Sequence, residues 1–415
     1  GDYGYELESG ELELNGQLNV DFLQTGGELE GSQTINATYT LEGGDWDANS
    51  DGATTTISST GVVNIDPLGE QDPDFDNRDI VNDGTFNWHH GDLDTTAAGS
   101  FTNNGTFNDL TDDDNDIGET GGDATFTNNG TFTKSNESET RISQDFDQYG
   151  TLEVDAGRLS LADDANFGAT SDTQIGTGAI LWVAGDVTAL ADGAVIAGDG
   201  IFRAEAGTVS GTATFDTYFE LDGATLDGNF DFANRFEFLG GYLAPESFIE
   251  IMAEASALLA ASAYDLEGTE LHVAPDGRLD WTNGTIAAWD DAVEGVMTMQ
   301  GDLEINDDGG EPAFFDVTGQ FRKTSGEGLA KFDIPVDVSG RFEVQSGSAR
   351  FSHGGVSDGG VFDLWSGTRL DINDSYTFLG GSTVQNGGDL NLNAESSRFP
   401  IRSIWASMQP STAAW

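Results

Sequence analysis

Short stretches of alternating apolar and polar residues, separated by glycine-rich turns, run along almost the whole chain. The segment Thr151-Leu152-Glu153-Val154, which directly follows a glycine, is typical of them. Alternation with a period of two predicts strands that bury one face. Asn-Gly and Asp-Gly pairs predict the turns between strands, because both residues tolerate positive φ. The pattern therefore predicts an all-β chain of many short strands.

A short motif recurs in the first half of the chain. Asn-Asp-Gly-Thr-Phe at 82–86 returns as Asn-Asn-Gly-Thr-Phe at 103–107 and again at 128–132, so that its glycines lie about 20 to 25 residues apart. Units of this size cannot bury a hydrophobic face alone and must stack on their neighbours. Stacked coils pair equivalent strands in parallel at a spacing of about 4.8 Å. The sequence thus predicts a parallel β-solenoid of about 20 coils.

The apolar residue of each motif is expected to point into the solenoid, where equivalent residues form continuous columns. The same phase continues through the strands that follow each motif. The predicted inward residues are Phe86, Phe107, Phe132, Leu152, Val154, Leu159, Leu161, Phe321, Phe342 and Val344.

A longer repeat lies above the short one. FTNNGTFTKS at 126–135 aligns with FDVTGQFRKT at 315–324, and further matches extend this alignment in both directions. Nearly all of the chain is therefore predicted to consist of two diverged copies. The predicted divisions are copy one at 1–197, copy two at 198–395, and a C-terminal cap or intersubunit tail at 396–415.

One segment reads as a helix when it is considered alone. Residues 245–261 are rich in Ala, Leu and Glu and begin with proline, a pattern typical of a helix start. In the alignment of the two copies, however, this segment lies opposite the β-branched stretches 54–57 and 62–65. Two strands joined by a turn at 253–256 are therefore predicted.

Composition limits both the partners and the chemistry. The chain has 74 Asp plus Glu against 15 Lys plus Arg, a formal net charge of -59, so neither nucleic acid nor an anionic membrane surface is an expected partner. No cysteine and only four histidines are present, which leaves little for thiolate or zinc chemistry. No apolar run reaches the roughly 18 residues of a membrane-spanning helix. The large excess of Asp and Glu over Lys and Arg is expected of a halophilic protein whose surface stays hydrated in concentrated salt.

The motif Asn-Gly-Thr-Phe, followed by G-x-L-x-V-x-x-G-x-L-x-L at 150–161, resembles the tandem repeats of bacterial surface β-helix proteins of the adhesin and autotransporter-passenger type. The resemblance covers nearly all of residues 1–395. It implies a right-handed coil and an extracellular, cell-surface location rather than any one activity. The sequence shows no charged and then apolar leader, so a secretion signal is expected either to have been removed or to lie outside this sequence.

The repeat begins and ends at nearly the same phase, since 1–10 matches 198–207 and 387–393 resembles the start of a third copy. Complementary ends predict head-to-tail stacking into a filament. The alternative is a segment of a longer tandem array. The tail, which contains no Asp or Glu, is expected to cap its own solenoid or to contact a neighbouring subunit. The predicted assembly residues are Tyr3, Tyr5, Leu7, Leu390, Leu392, Phe399, Ile401 and Trp405.

Sequence signals for bound ligands are few. Asp47, Asn49 and Asp51 begin a calcium-loop pattern, but its twelfth position is Ser58 instead of glutamate, so a Ca²⁺ ion and a solvated loop are both compatible with it. No other cofactor is expected. The candidate glycosylation sites, both in Asn-x-Ser/Thr motifs, are Asn104 and Asn129.

Three functions follow as hypotheses. The first is a non-enzymatic structural subunit or segment of an extracellular surface fibre, whose partner is itself, head to tail. The second is a glycan-binding adhesin or a viral tail-fibre shaft that binds surface glycans through exposed aromatic residues. The third, a polysaccharide lyase or hydrolase, needs a pair of carboxylates that the sequence cannot select from 74 acidic residues. The tryptophans considered for sugar stacking are Trp46, Trp88, Trp281 and Trp289, of which Trp88 and Trp281 occupy equivalent repeat positions that favour packing.

Overall fold

The computed structural model describes residues 4–46, 52–67, 72–75, 77–96, 99–120, 124–261, 263–265, 269–287, 290–306 and 314–393. Within these residues all helical or extended structure is β-strand, arranged as a parallel β-solenoid of about 17 turns. The predicted fold class is confirmed, while its handedness stays a prediction. No helix long and apolar enough to cross a bilayer occurs in the described residues.

The solenoid has somewhat fewer turns than the sequence predicts, because several of its coils are longer than the roughly 20 residues that the prediction assumes. The stretch of chain from Phe107 to its paired residue Phe132 is clearly longer than the stretch from Phe22 to its paired residue Tyr39. The additional residues lie in turns between strands, such as the acidic stretch that precedes Asn115. Coil length therefore varies while the paired positions stay aligned.

The chain forms two compact units, Gly1–Ala224 and Thr225–Trp415. The strands up to the division between the units are β1 (Tyr5–Leu7), β2 (Glu11–Glu13), β3 (Gly16–Leu18), β4 (Phe22–Gln24), β5 (Glu28–Glu30), β6 (Gln33–Ile35), β7 (Thr38–Leu41), β8 (Ala53–Ile57), β9 (Val62–Ile65), β10 (Arg78–Asn82), β11 (Thr85–Trp88), β12 (Leu93–Thr96), β13 (Phe101–Asn103), β14 (Thr106–Asp109), β15 (Asn115–Thr120), β16 (Thr125–Asn128), β17 (Thr131–Lys134), β18 (Glu139–Ile142), β19 (Asp145–Gln148), β20 (Thr151–Val154), β21 (Arg158–Leu161), β22 (Ala165–Phe167), β23 (Asp172–Ile175), β24 (Ile180–Val183), β25 (Val187–Ala204) and β26 (Thr208–Phe232), which continues past it. The remaining strands are β27 (Arg235–Leu243), β28 (Phe248–Ile251), β29 (Ser256–Leu259), β30 (Ala263–Asp265), β31 (Glu270–Val273), β32 (Arg278–Trp281), β33 (Thr285–Ala287), β34 (Asp290–Val293), β35 (Val296–Gln300), β36 (Glu304–Asn306), β37 (Phe314–Val317), β38 (Gln320–Ser325), β39 (Leu329–Asp333), β40 (Val336–Val338), β41 (Arg341–Val344), β42 (Ser348–Phe351), β43 (Gly355–Ser357), β44 (Val361–Leu364), β45 (Arg369–Ile372), β46 (Tyr376–Phe378), β47 (Thr383–Gln385) and β48 (Asp389–Leu392).

Equivalent strands of successive coils pair in parallel and in register. In the first unit β11 pairs with β14 and β14 with β17, which places Phe86, Phe107 and Phe132 opposite one another. Their rings stack with centroids 5.1 and 4.8 Å apart. In the second unit β38 pairs with β41, and Phe321 stacks on Phe342 at 4.7 Å. All ten residues predicted to point inward are buried, so the predicted core is confirmed.

The recurring triplets are Asn-Asp-Gly at 82–84, Asn-Asn-Gly at 103–105 and 128–130, and Gln-Tyr-Gly at 148–150. The first residue of each triplet contributes its side-chain amide to a buried ladder. Asn82 Nδ2 donates to Asn103 Oδ1 at 2.8 Å, Asn103 Nδ2 to Asn128 Oδ1 at 2.7 Å, and Asn128 Nδ2 to Gln148 Oε1 at 2.7 Å. All four side chains are fully buried. Asn103 Nδ2 also donates to the carbonyl oxygen of Thr131 at 2.9 Å. These amides satisfy one another inside the solenoid, where an unpaired polar group would be costly.

The glycine of each triplet is required by close stacking and not by positive φ, so the expected turn chemistry was wrong at these positions. None of these glycines has a positive φ; they are Gly84, Gly105, Gly130 and Gly150. A Cβ atom built on Gly105 would lie 2.2 Å from the Gly84 carbonyl oxygen, and one on Gly130 would lie 2.2 Å from that of Gly105. Neighbouring coils therefore approach each other here through backbone alone.

The segment that resembles a helix consists of strands, as the internal alignment predicts. Strand β28 (Phe248–Ile251) and strand β29 (Ser256–Leu259) follow each other. Glu254 lies in the turn between them with a φ of 69°. The stacking of neighbouring coils has thus overridden the local helix propensity of these residues.

Two lysines at equivalent positions of the long repeat are fully buried, namely Lys134 and Lys323. Lys134 Nζ donates to the Asn136 carbonyl oxygen at 2.8 Å, and Lys323 Nζ donates to that of Ser325 at 2.7 Å. Lys323 also pairs with Asp302 at 2.9 Å. Burial lowers the pKa of Lys134. The shared arrangement, in which a lysine binds the carbonyls of the turn that follows it, supports a tandem repeat.

Candidate functional site

The first described coil leaves an interior column uncovered. Tyr5 pairs with Phe22, which pairs with Tyr39, so three aromatic side chains occupy one column. Phe22 and Tyr39 are 5% and 1% exposed, whereas Tyr5 is 64% exposed. Leu7, opposite Gln24, is half-buried. Both of these predicted assembly residues, Tyr5 and Leu7, thus lie where a further coil would cover them.

The last described coil has the same property. Leu390 and Leu392 pair with Leu370 and Ile372. Leu370 and Ile372 are fully buried, but Leu390 and Leu392 are only half-buried. Val384 is likewise half-buried at the end of its column. Within the described residues, the two leucines predicted as assembly residues are therefore the last members of two interior columns.

The strands of these two coils have partners on one side. Within the described residues, β1, β2 and β3 pair with β4, β5 and β6, and β47 and β48 pair with β44 and β45. Strand β46 of the last described coil is different, because its Tyr376 and Phe378 side chains are buried. A strand edge without a neighbour presents backbone groups that can pair with another strand. Each end thus offers apolar side chains and a strand edge together.

The first described coil also carries stacked carboxylates that the sequence analysis missed. Glu11 pairs with Glu28, and Glu13 pairs with Glu30. Carboxylate oxygens of Glu11, Glu28 and Glu30 lie within 4.8 Å of one another. Like charges in register are unfavourable, and oxygen ligands of this kind suit Ca²⁺ or Mg²⁺. The recurrence of Gly-Glu-Leu-Glu at 10–13 and 27–30 was the available signal.

A shallow groove of about 460 Å³ lies in the first unit. Its polar lining includes the carboxylates of Asp45, Asp72 and Asp74, together with glycine backbone from 26–27 and 43–44. Asp45 Oδ1 accepts a hydrogen bond from the Asp74 backbone at 3.2 Å. The groove offers oxygen ligands to a cation or to hydroxyl groups.

Several predicted site residues lie outside the described residues. They comprise the calcium-loop candidates and part of the assembly set, and their placement stays a prediction. These residues are Tyr3, Asp47, Asn49, Asp51, Phe399, Ile401 and Trp405.

The two predicted glycosylation sites, Asn104 and Asn129, are exposed. Their amides belong to a second ladder on the outside of the solenoid. Asn104 Nδ2 donates to Asp83 Oδ1 at 2.9 Å, and Asn129 Nδ2 donates to Asn104 Oδ1 at 3.0 Å. A glycan on either nitrogen would leave it one N–H, so the ladder contact would persist only where that N–H still faces its acceptor. Modification itself stays a prediction.

The tryptophans considered for sugar stacking are mostly part of the core. Trp88 and Trp281 are fully buried, as the packing interpretation expected, and so is Trp46, while Trp289 lies outside the described residues. Trp365, which the sequence analysis did not select, is 46% exposed. In the long repeat Trp365 follows Leu364 where Gly176 follows the equivalent Ile175, so this departure from the repeat was the available signal.

Several partly buried carboxyl groups have pKa values above their ordinary range. Burial raises the pKa of Asp116, and the neighbouring Asp92 carboxylate raises it further. Burial has the same effect on the pKa of Asp316, where Asp337 adds to it, and on that of Asp231. These carboxyl groups hold a proton more readily when folded than when unfolded.

The pKa of Asp302, unlike that of the carboxyl groups above, is lowered. Burial would raise its pKa, but hydrogen bonds from Lys323 and from the Gly328 backbone lower it overall. Its contribution to stability is therefore lost as the pH falls through its folded-state pKa.

We expect the melting temperature to rise as the pH is lowered from 7 towards about 4, the ordinary pKa of an aspartate. Groups with raised pKa values contribute stability that is lost as the pH rises through those values, so lowering the pH restores it. Protonation also reduces the repulsion within a chain of net charge -59. Thermal unfolding followed by circular dichroism at several pH values checks this. A melting temperature that falls steadily below pH 7 would contradict it and give the Asp302 pair the larger weight.

No family model, curated protein or solved structure matches the chain.

Proposed function

We propose that the chain is a non-enzymatic structural subunit of an extracellular surface fibre, in which the last coil of one copy stacks on the first coil of the next. The uncovered interior columns carry this proposal. Tyr5 is 64% exposed at the end of a column whose next members, Phe22 and Tyr39, are buried. Leu390 and Leu392 end two columns of the second unit in the same way.

Stacking another coil at these surfaces would add the interactions that hold each unit together. Covering apolar surface contributes about 25 cal/mol per Å², and parallel pairing would satisfy the backbone of the edge strands. A contact between two different surfaces of the same chain does not close on itself, so it produces a filament. The extracellular location rests on the resemblance of the repeats to bacterial surface β-helix proteins.

The acidity of both ends makes this assembly dependent on salt. Glu6, Glu11 and Glu13 lie in the first described coil, and Asp389 lies in the last. At 0.1 M salt the screening length is about 10 Å, so these charges repel each other across the contact. At 1 M salt the screening length is about 3 Å, and the repulsion is much weaker. Filaments are therefore expected in concentrated salt.

Electron micrographs of the purified protein in about 1 M NaCl are expected to show filaments. Replacing Leu390 and Leu392 together with aspartate should abolish them, because two charges would enter the covered interior. A matched control replaces Val187 and Val195, which are 41% and 45% exposed in β25, with aspartate. The control adds the same charge away from the ends and should assemble normally.

Two results would overturn the proposal. One is a wild-type protein that stays monomeric by light scattering at every salt concentration, and the other is a Leu390/Leu392 variant that assembles like the control. Deletion of 396–415 separates the two predicted roles of the tail. Unchanged filaments would remove it from the intersubunit contact and leave the coil ends as the assembly surface.

A further inference from the structure

Trp365 is held rigidly with much of its side chain open to solvent. It follows β44, and 46% of its surface is exposed. Its indole Nε1 donates to Glu343 Oε1 at 2.9 Å. Its backbone N–H donates to the Val344 carbonyl oxygen at 3.0 Å, and its own carbonyl accepts from Thr368 N at 3.0 Å. The ring is thus fixed from both its polar edge and its backbone.

The polar side chains beside this ring are oriented by one another. Glu343 is 6% exposed and also accepts from Gln320 Nε2 at 3.1 Å. Asp363 on the neighbouring strand is 1% exposed, pairs with Arg341 and accepts a hydrogen bond from Asn386. The Glu343 carboxylate, itself held by Gln320, therefore lies at the polar edge of an exposed aromatic ring. Preorganised groups of this kind lose little entropy when they bind a ligand.

A second outward tryptophan shows what a purely structural role looks like. Arg158 lies 4.1 Å above the ring of Trp182, and Arg203 lies 5.7 Å from it. Trp182 is accordingly half-buried. No arginine is stacked in this way on Trp365 within the described residues. The exposed ring is therefore not part of a cation–π stack like the one in the first unit.

We propose that Trp365, with the Glu343 carboxylate at its edge, binds a neutral, β-linked polysaccharide of glucose or N-acetylglucosamine. The axial C–H face of a β-linked pyranose is flat and apolar, which suits an indole ring, and the carboxylate at the edge of the ring suits a hydroxyl donor. The net charge of -59 disfavours polyanionic glycans. This binding is a property of the second unit and does not depend on end-to-end assembly.

Isothermal titration of the full chain with cellohexaose and with chitohexaose tests the proposal. At least one of them is expected to bind saturably with a Kd on the order of 1 mM or tighter. Trp365→Ala should weaken that binding at least about tenfold. The matched control is Tyr242→Ala, which removes another aromatic residue that is 38% exposed in the second unit and should leave the Kd unchanged.

The proposal is wrong if neither oligosaccharide binds to the wild-type protein at about 10 mM. It is also wrong if Trp365→Ala binds as tightly as Tyr242→Ala. Because Trp365 is a surface residue, circular dichroism of both variants should match that of the wild type, so lost binding can be assigned to the ring. Filament formation in about 1 M NaCl should be the same in both variants, which separates this test from that of the assembly.

Discussion

Replacement of Gly130 with alanine is expected to destabilise the first unit by more than about 3 kcal/mol. The added Cβ would lie 2.2 Å from the Gly105 carbonyl oxygen and 2.7 Å from the Asn104 carbonyl carbon. These are backbone atoms of the coil beneath, so two coils would have to separate, and the pairing of β14 with β17 would be lost with them. Urea unfolding followed by circular dichroism measures the change.

Gly16→Ala is the matched control for this substitution. Gly16 lies in β3, its φ is not positive, and a Cβ built on it would meet nothing within 4 Å. Its replacement should change the free energy of unfolding by less than about 0.5 kcal/mol. If Gly130→Ala proved as stable as Gly16→Ala, close backbone stacking would not be the reason for glycine in the triplet.

Replacement of Asn103 with alanine should cost about 3 kcal/mol. The amide of Asn103 accepts from Asn82 and donates to Asn128 Oδ1 and to the Thr131 carbonyl oxygen. Without this amide, Asn128 Oδ1 and the Thr131 carbonyl oxygen each lose a donor, and a cavity is left in the interior. Chemical denaturation of the purified variant gives the free energy of unfolding directly.

Asn108→Ala tests the same kind of ladder outside the solenoid. Asn108 Nδ2 donates to Asn87 Oδ1 at 2.8 Å, but both side chains are only partly buried. Water can replace the lost partner there, so the cost should stay below about 1 kcal/mol. Equal losses for Asn103→Ala and Asn108→Ala would show that burial does not set the value of these amide contacts.

The sequence predicted the fold because its signals were periodic. Alternation identified the strands, and the duplication identified 245–261 as strands although the segment alone resembles a helix. Phe107 and Phe132 were assigned inward from the same alternation, and both are buried. Each of these predictions depends only on residues that recur in a fixed phase.

Other features depended on neighbours that lie one coil away and could not be predicted. The space around Gly130 is set by the backbone of the preceding coil, so an Asn-Gly pair was interpreted as an ordinary turn. Lys134 and Lys323 are buried because turn carbonyls bind their ammonium groups, which composition does not reveal. Trp182 is covered by Arg158 and Trp365 is not, and that difference depends on the side chains of neighbouring coils.

The unequal lengths of the coils have a practical consequence for protein engineering. Phe107 and Phe132 remain opposite each other although the chain between them is longer than the chain between Phe22 and Tyr39. In the longer coil, the aspartates at 112–114 lie exposed between β14 and β15. A foreign peptide grafted at this corner would extend into solvent without shifting the register beneath it, which makes the fold a scaffold for antigen display.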